Sequence, residues 1–219
     1  MRRTACLLLL VGMFCAGRAN TAEPARPDEA LALAERRFQS LTDYQCLADA
    51  ETRLGDKTSS GTYQVWFKKP AMLRTRVLRG NHRGSEVAMD RDGKVRGRKG
   101  GILKAFVVRL SADDKRLRNL RGVPVTELDW GSFYRKCRER STRPGARITL
   151  APRASPEAPY EIVVTYPTEG NRMREVYKID PKLHVMVEGD IFENEVRVDH
   201  IAFREIQLDT GLSDGTFKL

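Results

Sequence analysis

From Gly61 to Arg98 the chain alternates apolar and polar side chains with a period of two. Tyr63, Val65 and Phe67 alternate with Gln64, Trp66 and Lys68, and Leu73, Thr75 and Val77 alternate with Arg74, Arg76 and Arg79 or their neighbours. Residues two apart share one face of a strand, so the pattern is that of a half-buried sheet and not of a helix. Pro70 has no N–H to give to a ladder and marks a corner between strands. Asp92-Gly93, set between Val87-Ala88-Met89 and Val95, is a hairpin signal, because both residues tolerate the backbone angles of a tight turn. The block reads as four short antiparallel strands. That excludes a βαβ nucleotide-binding unit, and no catalytic motif lies within it.

The last third repeats the pattern. Tyr160–Tyr166, Arg174–Asp180, His184–Phe192 and Glu195–Leu208 read as strands joined by Glu169-Gly170-Asn171, Asp180-Pro181-Lys182 and the tight Glu193-Asn194 turn. In the last of them, alternation puts Val196, Val198, Ala202, Ile206 and Leu208 on one face with His200. Arg197, Asp199, Glu205 and Gln207 fall on the other with Ile201 and Phe203. Tyr44–Leu54 and Arg147–Leu150 add two further strands. Helices are expected over 28–41, after a Pro24–Pro27 linker and with Asp28 as cap, over 111–121 with Ser111 as cap and Asp114 reaching back, and over 130–140 with Phe133 and Cys137 on one face. Three short helices cannot cover every strand, so the apolar side of the sheet must curl on itself and be closed by them. The expected class is α+β, an unclosed antiparallel β-barrel (half-barrel) with short helices forming a lid over an interior cavity.

Residues 1–22 have a basic start (Arg2, Arg3), an apolar stretch from Ala5 to Ala16 and then small residues, the layout of a secretory signal peptide. Cleavage after Ala19 or after Ala22 fits equally. A lipoprotein anchor at Cys15 is disfavoured by the bulky Phe14 before it. Residues 23–219 are then one exported domain, expected in the periplasm. Export removes Cys6 and Cys15 and leaves Cys46 and Cys137, an even pair in an oxidising compartment. They are expected to be bonded, with two buried free thiols as the alternative. Neither has the spacing of a redox or zinc motif.

The whole chain carries a formal charge of +10. Without Arg2, Arg3 and Arg18 the exported part has 36 basic against 29 acidic residues, or +7. Such a charge favours anionic partners. The basic residues are densest between Arg91 and Arg121, where Lys94, Arg96, Arg98 and Lys99 are candidate contacts to an anionic membrane surface or an envelope protein. Phe106 is the one aromatic there, too little for bases to stack on, so nucleic acid is not expected as a partner. Of three histidines (His82, His184, His200) none belongs to an HExxH pattern, and there is no Gly-x-Ser-x-Gly elbow. Asp199 and His200 are adjacent on a strand and therefore point to opposite faces. No catalytic residue, metal site or cofactor is expected, and the chain is read as a binding protein and not an enzyme.

Trp66-Phe67-Lys68-Lys69-Pro70, preceded by Gly61 and followed by Ser85-Glu86-Val87 and Asp92-Gly93-Lys94, resembles the corresponding block of the periplasmic lipoprotein carrier LolA and its relatives. Val176-Tyr177-Lys178-Ile179-Asp180, His184 to Glu188, Asp190, Ile201-Ala202-Phe203, Leu208-Asp209 and Leu212-Ser213-Asp214 resemble the ending of the same superfamily. The resemblance spans most of residues 40–219, and through Gly97–Arg140 it is nearer to exported members of unknown function. It implies an open barrel whose apolar lining shelters the acyl chains of a lipid or of an acylated protein. Trp66, Met72, Met89, Phe106, Val164 and Tyr166 are the candidate lining residues. In the carriers an Arg before the Pro latches the lid; here that position is Lys69, which lacks the planar fork of donors. The alternative is an envelope interaction module that uses the basic surface and holds no small ligand.

Overall fold

The computed structural model describes residues 23–101 and 106–219. The leader expected at residues 1–22 lies outside them. Eleven strands are present: β1 (Asp43–Leu54), β2 (Lys57–Lys68), β3 (Met72–Gly80), β4 (Glu86–Met89), β5 (Val95–Arg98), β6 (Val107–Leu110), β7 (Arg147–Leu150), β8 (Tyr160–Thr168), β9 (Asn171–Ile179), β10 (Met186–Glu193) and β11 (Val196–Leu208). They form a single antiparallel sheet in the order β6-β5-β4-β3-β2-β1-β11-β10-β9-β8-β7. Two meanders are thus stitched together where the first strand pairs with the last. The sheet does not close: β6 and β7, four residues each, are its free edges. With helices α1 (Pro27–Ser40) and α2 (Trp130–Ser141) packed over one side, this is the open half-barrel with a helical lid read from the alternation.

The tight turns follow local chemistry. Gly93 has φ +75, as the Asp92-Gly93 hairpin requires, and Asn194 and Glu195 both take positive φ in the β10–β11 turn. The peptide before Pro70 is cis. At the start of α1 it is Glu29, rather than the expected Asp28, whose carboxylate accepts from the backbone N–H groups of Ala25 and Arg26.

The helix expected over 111–121 is one 3-10 turn at Lys115–Leu117. The stretch has a single buried apolar residue, Leu117, and its side chains compete for the backbone. Asp114 accepts from Arg116 N, and Asn119 accepts from Arg121 N and Val123 N. Just before it, β6 was not expected.

Register divides the sheet into a lid face and an outer face. Tyr44, Phe67, Leu73, Met89 and Val95 stand opposite one another along the first, and Gln45, Trp66, Arg74, Ala88 and Arg96 along the second. On β11 the apolar face departs from plain alternation. Ile201 and Phe203 belong to the core, and Ile206 and Leu208 pack against it. The switch occurs at a bulge, where Gln45 faces Gln207 but Leu47 faces Arg204, and Glu205 has φ +52.

Cys46 on β1 and Cys137 on α2 are free thiols. This corrects the expected disulfide. Both are buried in the core, and burial pushes each thiol up to about 12. Held as protonated apolar groups, they pack like small hydrophobic residues.

Candidate ligand-binding site

A cavity of about 510 Å³ opens between α1, α2 and strands β2–β4. Its apolar wall is Phe38, Phe67, Leu73, Met89 and Tyr134, and its rim carries Glu35, Gln39, Glu127, Asp129 and Arg135. The volume lies within the ~300–1,000 Å³ range of small-molecule sites. Each wall residue is there for a local reason: Phe67, Leu73 and Met89 lie along the lid face of β2, β3 and β4, and Phe38 and Tyr134 come from the two helices.

The helices are fixed at both ends. Trp130 stacks on Tyr44 with ring centroids 3.9 Å apart, Tyr44 stacks on Phe67 at 5.1 Å, and Phe38 reaches Phe67 at 5.5 Å. Tyr134 Oη accepts from Met186 N at 3.0 Å. Arg138 grips Glu35 through two hydrogen bonds of 2.9 and 2.7 Å, which joins α2 to α1. At the far end of α2, Arg140 pairs with the buried Glu175, which also accepts from the hydroxyls of Tyr166 (2.5 Å) and Tyr177. Burial raises both tyrosine hydroxyls well above their ordinary range, so they stay protonated donors. Gly131 leaves room for Phe38 of α1; a Cβ there would meet Phe38 Cε1 at 2.6 Å.

Lys69 ties the corner between β2 and β3 to α1. Its ammonium donates to the carbonyl of Gln39 in the last turn of α1 and lies 5.3 Å over the Phe38 ring, while desolvation lowers its pKa. A single point charge thus ties the β2–β3 corner to the lid.

The candidate lining residues fall into different places. Met89 is in the cavity wall. Val164 and Tyr166 are on the lid face of β8 but packed shut in the core, Tyr166 as a partner of Glu175. Trp66 and Met72 are on the outer face, where Trp66 lies under the Arg74 guanidinium at 5.4 Å. Phe106 is 69% exposed, beside the free edge of β6. Phe38, Phe67, Leu73 and Tyr134 had not been singled out. Their signals were present in the helices expected over 28–41 and 130–140, which contain Phe38 and Tyr134, and in the alternation that includes Phe67 and Leu73. Of the candidate surface cations, Lys94 pairs with Asp92, Arg96 with Asp90 and Arg98 with Glu86, while Lys99 is exposed.

Asp199 and His200 do point apart. His200 Nδ1 meets Asp190 Oδ1 at 2.8 Å on the outer face, whereas Asp199 takes a hydrogen bond from Thr52 on the lid face. Glu188, Asp190 and His200 bring one potential metal-ligand atom each within 4.8 Å of one another. Lys178 already pairs with Glu188 at 2.8 Å and Arg197 lies 3.5 Å from Asp190, so the patch is charge-balanced as it stands.

No protein-family model matches the chain, and no curated protein sequence does. Among solved structures, the chain is similar to a DUF1329 family protein from Desulfovibrio piger, with 13% identity over 87% of this chain and 96% of that one at a TM-score of 0.44. It is also similar to a LolA superfamily protein from Nitrosomonas europaea, with 11% identity over 90% and 99% at a TM-score of 0.40. A third is the Mycobacterium tuberculosis lipoprotein LppX, with 10% identity over 85% and 98% at a TM-score of 0.40. No helix among the described residues is long and apolar enough to cross a membrane.

Proposed function

We propose that the chain is an exported, periplasmic binding protein without catalytic activity, which holds an apolar ligand, the acyl chain of a lipid or of an acylated protein, between its helix pair and its sheet. The observation that carries this reading is the cavity itself, whose wall is Phe38, Phe67, Leu73, Met89 and Tyr134 and whose lining residue Gln39 is held through its carbonyl by Lys69. Sequestering an acyl chain there is favourable by ~0.8 kcal/mol per methylene and needs no catalytic group. The ligand has a polar end to leave at the rim, where Arg135 stands exposed beside Gln39.

Native mass spectrometry of the purified protein is expected to find a bound lipid, and the emptied protein is expected to take up a fluorescent long-chain fatty acid. Met89→Arg places a charge on the cavity wall and is expected to weaken that uptake at least ten-fold, and Met89→Ser to weaken it less. Lys69→Ala is expected to speed release of the same probe by freeing α1. Uptake unchanged in Met89→Arg, with circular dichroism showing the variant folded, would rule out this cavity as the site.

A further inference from the structure

The outer face of the sheet near its β6 edge holds a charge pattern that the cavity does not use. Arg74 on β3, Ala88 on β4, Arg96 on β5 and Arg109 on β6 stand in one cross-strand row. Arg76, Glu86, Arg98 and Val107 form the next. Of these five arginines, four are met by two carboxylates: Glu86 takes Arg74 and Arg98 and lies 3.8 Å from Arg76, and Asp90 takes Arg96 at 3.2 Å. Arg96 and Arg109 face each other directly, a placement that like charges make unfavourable unless an anion lies between them. Every cation of the two rows is an arginine, the side chain whose planar fork matches phosphate oxygens in pairs.

Beside these rows the chain exposes apolar side chains in succession. Phe106 is 69% exposed, Val107 41% and Val108 46%. Val107 is on the outer face with the arginines and Val108 on the lid face, so this edge strand is apolar on both sides. A strand buried against a flat protein surface needs one apolar face. An apolar tip wet on both faces and backed by arginines fits a medium that surrounds it, with acyl chains beyond a layer of phosphates. Among the described residues no strand pairs with the outer edge of β6, and backbone N–H and C=O groups on such an edge limit entry to the headgroup layer, where water still satisfies them.

We infer that the β5–β6 corner docks on an anionic lipid bilayer, with Phe106, Val107 and Val108 at the headgroup boundary and Arg76, Arg96, Arg98 and Arg109 on lipid phosphates. The inference is independent of the cavity, and either can fail alone. The test is sedimentation of the full chain with vesicles of phosphatidylcholine, and with vesicles of phosphatidylglycerol and phosphatidylcholine mixed one to three. Residues 5–16 are present in every variant, so the differences between variants are what count. Wild type is expected to bind the anionic vesicles more tightly, and to be released by salt. Arg76→Gln and Arg109→Gln, both at exposed side chains, are each expected to weaken this roughly five-fold. Phe106→Ser is expected to weaken binding to both kinds of vesicle. Equal binding to the two vesicle types, anionic binding indifferent to the arginine substitutions, or an absence of vesicle binding alongside capture of an acidic peptide or a second copy at this edge would each overturn the inference.

Discussion

At the scale of single residues, the side chains with the most to reveal are the buried polar ones. Asp199 lies on the lid face of β11, where Thr52 Oγ1 donates to it at 3.2 Å and Asn119 Nδ2 lies 3.5 Å away. Burial is the largest influence on its carboxyl and raises it above the ordinary value of 3.8. A folded-state pKa above the unfolded one favours folding at pH values below the unfolded pKa. That contribution is lost as pH rises through the folded value, so at neutral pH the ionised Asp199 works against the fold. Asp199→Asn keeps an oxygen to accept from Thr52 and removes the buried charge. It is therefore expected to be at least as stable as wild type at pH 7 in urea denaturation, with its advantage shrinking as pH falls toward the unfolded value. A variant less stable by the same margin at every pH would sink this account. That Asp199 and His200 part company was legible from adjacency on a strand. The raised pKa was not, because it comes from burial by segments remote in sequence; the hydrogen bonds from Thr52 and Asn119, 147 and 80 residues away, lower it and offset that burial only in part.

At the scale of elements, periodicity located the strands and fell short where two strands differ in length by one residue. Counting by twos through β11 puts Ile206 and Leu208 on the face opposite Ile201 and Phe203. Glu205, at φ +52, is the added residue that returns all four to the core side. Nothing in the sequence of β11 alone announces it, because a bulge is defined against the partner strand. Deleting Glu205 leaves Phe203 and Ile206 two residues apart, so a regular ladder keeps Ile206 and Leu208 on the core side without the bulge. Glu205→Gly keeps the bulge and removes the strain of a left-handed side chain. Thermal melts are expected to show no large loss for either of these variants and a clear loss for Glu205→Val, whose β-branched side chain is ill-suited to the left-handed angles at this position. A deletion that melts as though Ile206 and Leu208 were both exposed, at roughly 1.5–3 kcal/mol for each side chain, would mean that Glu205 is not the added residue. The 3-10 turn at Lys115–Leu117 in place of a helix has a physical cause: the acidic cap is legible in the sequence, but no apolar stripe follows it to bury a full helix.

At the scale of the whole molecule, the two faces of one sheet are covered by different means. The lid face has its helices. The outer face of β2–β4, with Trp66, Met72 and Ala88, is crossed by the chain after β11. Asp43, 1% exposed, takes hydrogen bonds from Thr210 N, Thr210 Oγ1, Gly211 N and Leu212 N, at 2.8 to 3.1 Å. Lys68 then holds the Leu212 carbonyl, Arg74 holds the Thr216 carbonyl, and Phe217 ends fully buried. Alternation had distinguished two faces in residues 61–98 but not which one would be roofed by the last ten residues, and so Trp66 and Met72 had been assigned to the lining. The division gives a test of the cavity reading that stability alone cannot mimic. Phe217→Ala removes a buried ring and is expected to cost ~3–5 kcal/mol in urea denaturation. Because Phe217 belongs to the segment over the outer face, the variant, at temperatures where it remains folded, is expected to bind the fluorescent fatty acid as tightly as wild type. Met89→Arg should show the reverse pattern, with fatty-acid affinity lost and the outer face undisturbed. If folded Phe217→Ala loses the fatty acid while Met89→Arg retains it, the ligand lies under the C-terminal segment and not beneath the helices.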